Sequence, residues 1–245
     1  MVSSQEFRAR LKQFYEFSSQ ERSSLLIGIL ITAFIFSFRD WGEQQLDITT
    51  GLLNLFLVLI IATISILFRL SCQKVYGLSQ GLKAEFKVWW PGIIVALLLA
   101  IISNGRLPLI LLGTMAVSFM VKQRLGEFRY GFSFIENAMI AFWGIIGNLI
   151  MAGLFALGLY LSPHTYLFSK GLALNIIMAF CSLIPLPQLD GLAIFWGSRP
   201  LYFAAILLTS IISVLLLTQT LIGLIISFAT GIIAGSWYLL ISSNK

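Results

Sequence analysis

The sequence predicts an all-α polytopic membrane protein with six to eight transmembrane helices and a short β segment in a cytoplasmic loop. Three observations lead to this fold class. Hydrophobic residues make up 58% of the chain and charged residues only 11%, whereas soluble domains average about a quarter charged. The apolar residues fall into long runs, several of them near the length of about 20 residues that a helix needs to cross the hydrocarbon core. The basic residues are concentrated between these runs, where they set the topology.

Eight apolar runs are the candidate spans of one membrane domain over residues 1–245. They are residues 24–38, 51–68, 89–103, 107–121, 137–161, 171–187, 201–217 and 221–242. The last two are separated by the polar residues 218–220 and form a predicted C-terminal helix hairpin, 201–242. Residues 89–121 are two spans or, because both runs are short, a re-entrant hairpin or partly strand. The alternation of apolar and polar residues in 84–90 predicts the short strand.

The distribution of basic residues predicts that both termini are cytoplasmic. When the spans alternate and the N-terminal segment 1–23 lies inside, every Lys and Arg except Arg39, Arg106 and Lys170 faces the cytoplasm, as the positive-inside rule requires. If residues 89–121 form a re-entrant hairpin, the chain has six spans instead of eight, and the predicted orientation of both termini is the same. Topology thereby accounts for the net charge of +6, so we expect no nucleic acid partner. The expected partners are the lipid bilayer and a membrane protein or one of its transmembrane segments.

The sixth apolar run ends in the most specific motif of the chain. Pro185 and Pro187 are followed by Leu189-Asp190-Gly191, which places a carboxylate beside a membrane span. An ionisable residue in that position is a functional-site hypothesis by default. The alternative interpretation is that Asp190 only caps the turn before Gly191.

This spacing resembles the P-x-P-x-L-D-G motif of the site-2 proteases, a family of intramembrane zinc metalloproteases. Residues 141–149 are similar to the family's A-x-A-G-P-x-x-N-L helix: Gly144 and Asn148 match, while Ile145 replaces the proline. At the start of the first motif Ser182 replaces an asparagine. That exchange reduces an amide able to bind an extended substrate to a hydroxyl.

A third likeness lies earlier in the chain. Tyr76-Gly77 and residues 84–92 are similar to the connection that follows the metal-binding helix in archaeal-type members. The three likenesses occur in the family's order and cover about residues 51–200. The resemblance therefore implies a site-2-protease-like core over that range, in a multi-pass protein of a prokaryotic, archaeal cell membrane.

The family's zinc motif is missing from this chain. H-E-x-x-H places two imidazoles at positions i and i+4 on one helical face, and its glutamate acts on the zinc-bound water. The resemblance implies Asp190 as the third ligand. Counting back from Tyr76-Gly77 puts Ser65 and Arg69 at the two histidine positions and Ile66 at the glutamate position.

A second register, counted back from residues 125–126, puts the motif on residues 114–118, which contain neither histidine nor glutamate. The sole histidine, His164, is predicted in a loop on the opposite side of the membrane from Asp190. We therefore expect no catalytic residue, no metal ligand and no cofactor in this chain, although zinc would be expected of the family.

Arg69 allows two interpretations. Its guanidinium could pair with Asp190 and neutralise the carboxylate in place of the metal. Alternatively, Arg69 ends the second span and extends its side chain toward the cytoplasmic headgroups. The candidate residues of a vestigial site are Ser65, Ile66, Arg69, Asn148, Ser182, Pro185, Pro187, Asp190 and Gly191.

The favoured function is that of a catalytically inactive site-2-protease-like membrane protein that binds or scaffolds membrane partners. Two alternatives stay open. One is an active intramembrane metalloprotease with non-standard ligands. The other is a small transporter or channel subunit in which Asp190, Arg69 and Asn148 line a polar path.

Overall fold

The computed structural model describes residues 4–41, 47–119 and 133–231. In chain order these form α1 Ser4–Phe14, α2 Ser19–Ser37, α3 Ile48–Ser79, β1 Leu82–Val88, α4 Trp90–Ile102, β2 Gly113–Phe119, α5 Phe134–Leu161, α6 Tyr166–Leu183, α7 Asp190–Gly197, α8 Arg199–Leu217 and α9 Leu221–Gly231. Within this part of the chain, five helices are long and apolar enough to cross a membrane: α2, α3, α5, α6 and α8. The protein is an all-α polytopic membrane protein, as predicted.

Helix α3 is much longer than the predicted second span. It begins after Asp47, which accepts hydrogen bonds from the first-turn residues Thr49 and Thr50, and the bonds from Thr50 lower the pKa of this carboxyl. Its 32 residues extend for about 48 Å, well beyond a hydrocarbon core of about 30 Å. The predicted end near residue 68 is wrong because the polar residues that follow are buried against neighbouring elements. The helix stops before Gly81, which adopts a positive φ of 82°.

Residues 89–121 do not contain two helical spans in their described part, which ends at Phe119. Helix α4 ends at Ile102, and the chain turns at Asn104 and Gly105, which both have positive φ. It then returns in extended form to β2. Strand β2 pairs antiparallel with β1, from Leu82 opposite Phe119 to Val88 opposite Gly113. The alternative in which this segment is partly strand is therefore confirmed, because β2 finds its backbone hydrogen-bond partners in β1.

Helix α5 lies at the centre of the fold and packs most extensively against α6, α3 and α7. Small residues permit close approach. A Cβ added at Gly147 would lie 3.1 Å from the Cα of Arg69, so α3 and α5 touch backbone to backbone. On the other side of the bundle, Gly171 of α6 makes room for the ring of Phe155.

Glu21 ties the start of α2 to α3 and β1. Its carboxylate accepts from the backbone N–H of Ser18 in a capping box, from Lys74 Nζ at 2.9 Å and from the Phe86 N–H at 2.6 Å. Glu21 and Lys74 are both buried. This cap explains why α2 begins at Ser19, five residues before the predicted apolar run.

The segment between α6 and α7 brings the motif around Asp190 back onto the bundle. Helix α6 ends at Leu183, earlier than the predicted 187, because Pro185 and Pro187 cannot continue it. Gln188 turns the chain with a φ of 63°, and α7 begins at Asp190. Farther on, residues 218–220 separate α8 from α9 as predicted.

Candidate functional site

The site is built around a buried ion pair between α3 and α7. Arg69 Nη2 lies 2.6 Å from Asp190 Oδ2, and the two residues are 5% and 0% exposed. Arg69 therefore does not end its helix, and its buried side chain does not extend toward the headgroups, so that interpretation is wrong. The pairing that the sequence left open is present in the structure.

Two further donors complete the surroundings of Asp190. Gln73 Nε2 donates to Oδ2 at 2.9 Å, and Thr114 Oγ1 donates to Oδ1 at 2.6 Å. Both carboxylate oxygens are thus hydrogen-bonded, one of them to a cation. A carboxylate taken out of water costs several kcal/mol unless it is paired and hydrogen-bonded, so α3 and β2 together make this buried position tolerable for Asp190. Its side chain does not cap α7.

Local sequence explains why these groups meet. Arg69 and Gln73 are four residues apart and therefore share one face of α3. Gly144 of α5 lies opposite Gln73, where a Cβ would come within 2.5 Å of Nε2. At the other end, a Cβ on Gly191 would collide with the carbonyl of Leu183. Only glycine lets α7 start close enough to the end of α6 to present Asp190 inward.

Ser65 and Ile66 occupy α3 but do not touch the carboxylate. Ser65 Oγ accepts from Asn175 Nδ2 of α6 at 2.8 Å, and the same nitrogen donates to the carbonyl of Gly171. Ile66 is 1% exposed and belongs to the apolar core. The structure therefore separates the two former histidine positions: Arg69 binds Asp190, while Ser65 binds α6.

Asn148 is completely buried, and neither amide atom makes a hydrogen bond within the described residues. It follows Gly147, which contacts the Arg69 backbone, so it lies on the α5 side of the ion pair. Asn175 Oδ1 and Arg69 Nε also lack partners in this region. Each such group costs about 1–3 kcal/mol when left unsatisfied. The core of the bundle thus contains several polar atoms that are left unsatisfied at a cost in stability.

The remaining candidates shape the site without entering it. Ser182 Oγ donates to the carbonyl of Met178 within α6 and does not reach Asp190. Pro185 and Pro187 are exposed and set the turn before α7. Of the nine predicted residues, the structure joins only Arg69 and Asp190 by a direct hydrogen bond.

Two residues of the site were missed by sequence reasoning. Gln73 could have been found, since it lies one turn after Arg69 on the same helix face. Thr114 had no usable signal, because its position depends on the pairing of β1 with β2 across distant residues. The second register for the zinc motif, residues 114–118, falls in β2. In a strand, residues i and i+4 share a face but lie about 13 Å apart, too far for both side chains to hold one metal ion.

These residues do not fit a zinc ion. Arg69 has no lone pair to offer, and both oxygens of Asp190 already accept hydrogen bonds. His164 is exposed in the turn before α6, whose 18 residues separate it from the site by about 27 Å. Across the described ranges, no three His, Cys, Asp or Glu residues lie together in a way that could hold a metal.

Fold and site define a polytopic membrane protein with a polar centre enclosed among its helices. Comparison with known proteins adds a relative. An archaeal protein of Methanocaldococcus jannaschii, named "Putative zinc metalloprotease", is 24% identical over 185 residues, which cover 72% of this chain and 84% of the relative. No family model matches the chain, and no solved structure matches it. The likeness to a protein of that name extends over most of both chains.

Proposed function

We propose that this protein is a catalytically inactive, site-2-protease-like membrane protein that binds membrane segments of partner proteins without cutting them. The observation that carries the proposal is the hydrogen-bonded pair of Arg69 and Asp190. Asp190 is the residue that the family motif would assign to zinc, and a guanidinium takes the place of the metal as its counter-charge. An arginine stays protonated in proteins, so this neutralisation needs no ion.

A guanidinium replaces the charge of zinc but not its chemistry. Zinc lowers the pKa of bound water from about 15.7 to about 7 and thereby creates the nucleophile of a metalloprotease. Arg69 has no vacant orbital for water. Ser65 is no substitute nucleophile, because its hydroxyl faces the amide of Asn175, which cannot act as a base. The site therefore has the means to hold polar groups and lacks the means to hydrolyse a peptide.

The two-stranded sheet offers a place for a partner. The Trp89 N–H donates to the Leu112 carbonyl, so the ladder bonds of β2 use its even-numbered residues. The N–H and C=O groups of Met115 and Val117 then point away from β1, toward an edge that no described strand covers. On β1 the opposite edge is blocked at Phe86 by Glu21. An extended, partly unwound membrane segment could pair with β2 by strand addition beside Thr114 and Asp190.

A transport path has weaker support. The polar side chains run from Asp190 through Arg69 to Ser65 and Asn175. Beyond Asn175, one turn toward the start of α6, the ring of Phe155 packs directly over Gly171. The chain of polar side chains is therefore followed by an apolar contact at this point.

Site-specific photocrosslinking tests the proposed binding mode. A photoreactive side chain at Ala116, on the face of β2 that carries Thr114, should capture a membrane segment of an intact partner protein in the native membrane. Val117→Pro should abolish this capture because it removes an N–H that points to the open edge and leaves the β1 ladder complete. The comparison variant is Ser118→Pro. It removes an N–H that bonds to β1, so it should destabilise the pairing of β1 with β2, whereas Val117→Pro should not.

Two results would contradict the proposal. Partner fragments that accumulate with the wild-type protein and disappear with Asp190→Asn would indicate an active protease. Capture that is unchanged in folded Val117→Pro would exclude strand addition at this edge.

A further inference from the structure

A large open groove runs between α2 and α3, away from the ion pair. Its volume is about 760 Å³, and its walls are apolar side chains of both helices, among them Leu26, Ile29, Leu30, Leu59 and Leu67. Leu26 and Leu30 are 60% and 48% exposed, so nothing in the described chain covers this wall. Both helices are membrane-spanning by length and composition. The groove therefore faces the lipid phase.

One end of the groove is charged. Glu16 and Arg22 line it where the chain passes from α1 to α2. Arg22 Nε donates to the carbonyl of Phe17, and within the described chain its two Nη groups make no hydrogen bond. The Glu16 carboxylate likewise makes none there, whereas the neighbouring Glu21 is fully engaged by Lys74 and β1. This end of the groove, which we call its mouth, thus presents one cation, Arg22, and one anion, Glu16, and both are available to a ligand.

We propose that this groove is a binding site for a zwitterionic phospholipid with a primary ammonium group. An acyl chain lies between α2 and α3, the phosphate binds the guanidinium of Arg22, and the ammonium binds the carboxylate of Glu16. A purely anionic headgroup would meet repulsion from Glu16, and a headgroup without charges would leave both side chains unpaired at the membrane surface.

The size of the groove suits a lipid chain. Its volume of about 760 Å³ lies within the range of about 300–1,000 Å³ typical of small-molecule sites. A single flexible hydrocarbon chain can therefore enter it.

Selectivity must come from the headgroup. A lipid tail gains little by leaving the bilayer for the groove, because its surroundings are apolar in both places. The charged mouth at Glu16 and Arg22 is the part that distinguishes one lipid from another. Lipids with identical tails and different headgroups therefore test the proposal directly.

Native mass spectrometry of the detergent-purified protein supplies the measurement. The protein is mixed with equal amounts of phosphatidylethanolamine, phosphatidylcholine and phosphatidylglycerol that carry the same acyl chains. We expect retention of one phosphatidylethanolamine with a preference of about fivefold over the other two. Only its primary ammonium has N–H groups to donate to the Glu16 carboxylate, a contact of up to about 1 kcal/mol. Arg22→Gln should weaken retention of all three lipids, because each carries the phosphate. Glu16→Gln should shift the preference toward phosphatidylglycerol by removing the repulsive carboxylate.

A second variant tests the groove itself. Thr63→Trp fills the space between α2 and α3 and should abolish retention, whereas Leu207→Trp on the exposed face of α8 should leave it unchanged. If Thr63→Trp does not fold, a photoreactive group at Leu26 replaces it and should capture lipid. Equal retention of the three lipids, retention unchanged in folded Thr63→Trp, or capture of a protein segment instead of lipid would each overturn the proposal.

Discussion

At the scale of single residues, the decisive feature is how a carboxylate survives in the middle of a membrane bundle. Asp190 is fully buried, yet it accepts three hydrogen bonds from Arg69, Gln73 and Thr114. The sequence identified Asp190 as unusual and named Arg69 as its possible partner, because a buried acid needs a cation. It could not decide between pairing and extension to the headgroups, since that choice depends on where α3 ends.

A double-mutant cycle tests the ion pair. Arg69→Met alone should destabilise the protein by about 3–5 kcal/mol, because it leaves a buried carboxylate without its counter-charge. Adding Asp190→Asn removes the charge that needs neutralising and should recover about 1–3 kcal/mol of this loss. The four proteins are compared by reversible unfolding in detergent. A change in stability on Asp190→Asn that is the same in the wild-type and Arg69→Met backgrounds would show that the two side chains are not coupled.

At the scale of elements, the length of α3 and the pairing of β1 with β2 build the site. The sequence predicted a strand near residues 84–90 and allowed a second one within 89–121, and the structure has both. It placed the end of α3 too early because Arg69, Gln73 and Lys74 read as a polar loop. These three residues are buried in the fold. Their contacts with neighbouring elements keep the chain helical to Ser79, although the hydropathy pattern predicts a loop.

Glu21 provides the prediction at this scale, because it joins three elements through one carboxylate. Glu21→Gln keeps the shape but loses the charge that pairs with Lys74, and it should destabilise the protein by about 3 kcal/mol. The control is Glu85→Gln on β1, which pairs with Lys83 at a position where both side chains are more than a third exposed, so we expect a change below about 0.5 kcal/mol. Chemical unfolding of both variants gives the comparison. Similar small losses for the two would mean that Glu21 does not hold α2, α3 and β1 together.

At the scale of the whole molecule, composition alone predicted the fold class, since long apolar runs with so few charges have no stable place outside a bilayer. The orientation with both termini cytoplasmic stays a prediction. The candidate site was predicted in part: the P-x-P-x-L-D-G spacing located Asp190, and the resemblance to the site-2 proteases, counted back from Tyr76-Gly77, pointed to Arg69. Thr114 and the open edge of β2 could not be predicted, because they depend on pairing between residues that are 25 to 37 positions apart in the sequence.

The zinc content of the purified protein tests the central claim most directly. We expect wild-type protein, exposed to zinc and freed of loosely bound ions, to retain none. The variant S65H/I66E/R69H rebuilds the family motif on α3 and releases Asp190 from Arg69. It should retain about one zinc per chain, and adding Asp190→Ala should abolish this binding. Wild-type protein that holds about one zinc per chain and loses it on Asp190→Ala would contradict the account, because Arg69 would then not stand in the metal's place.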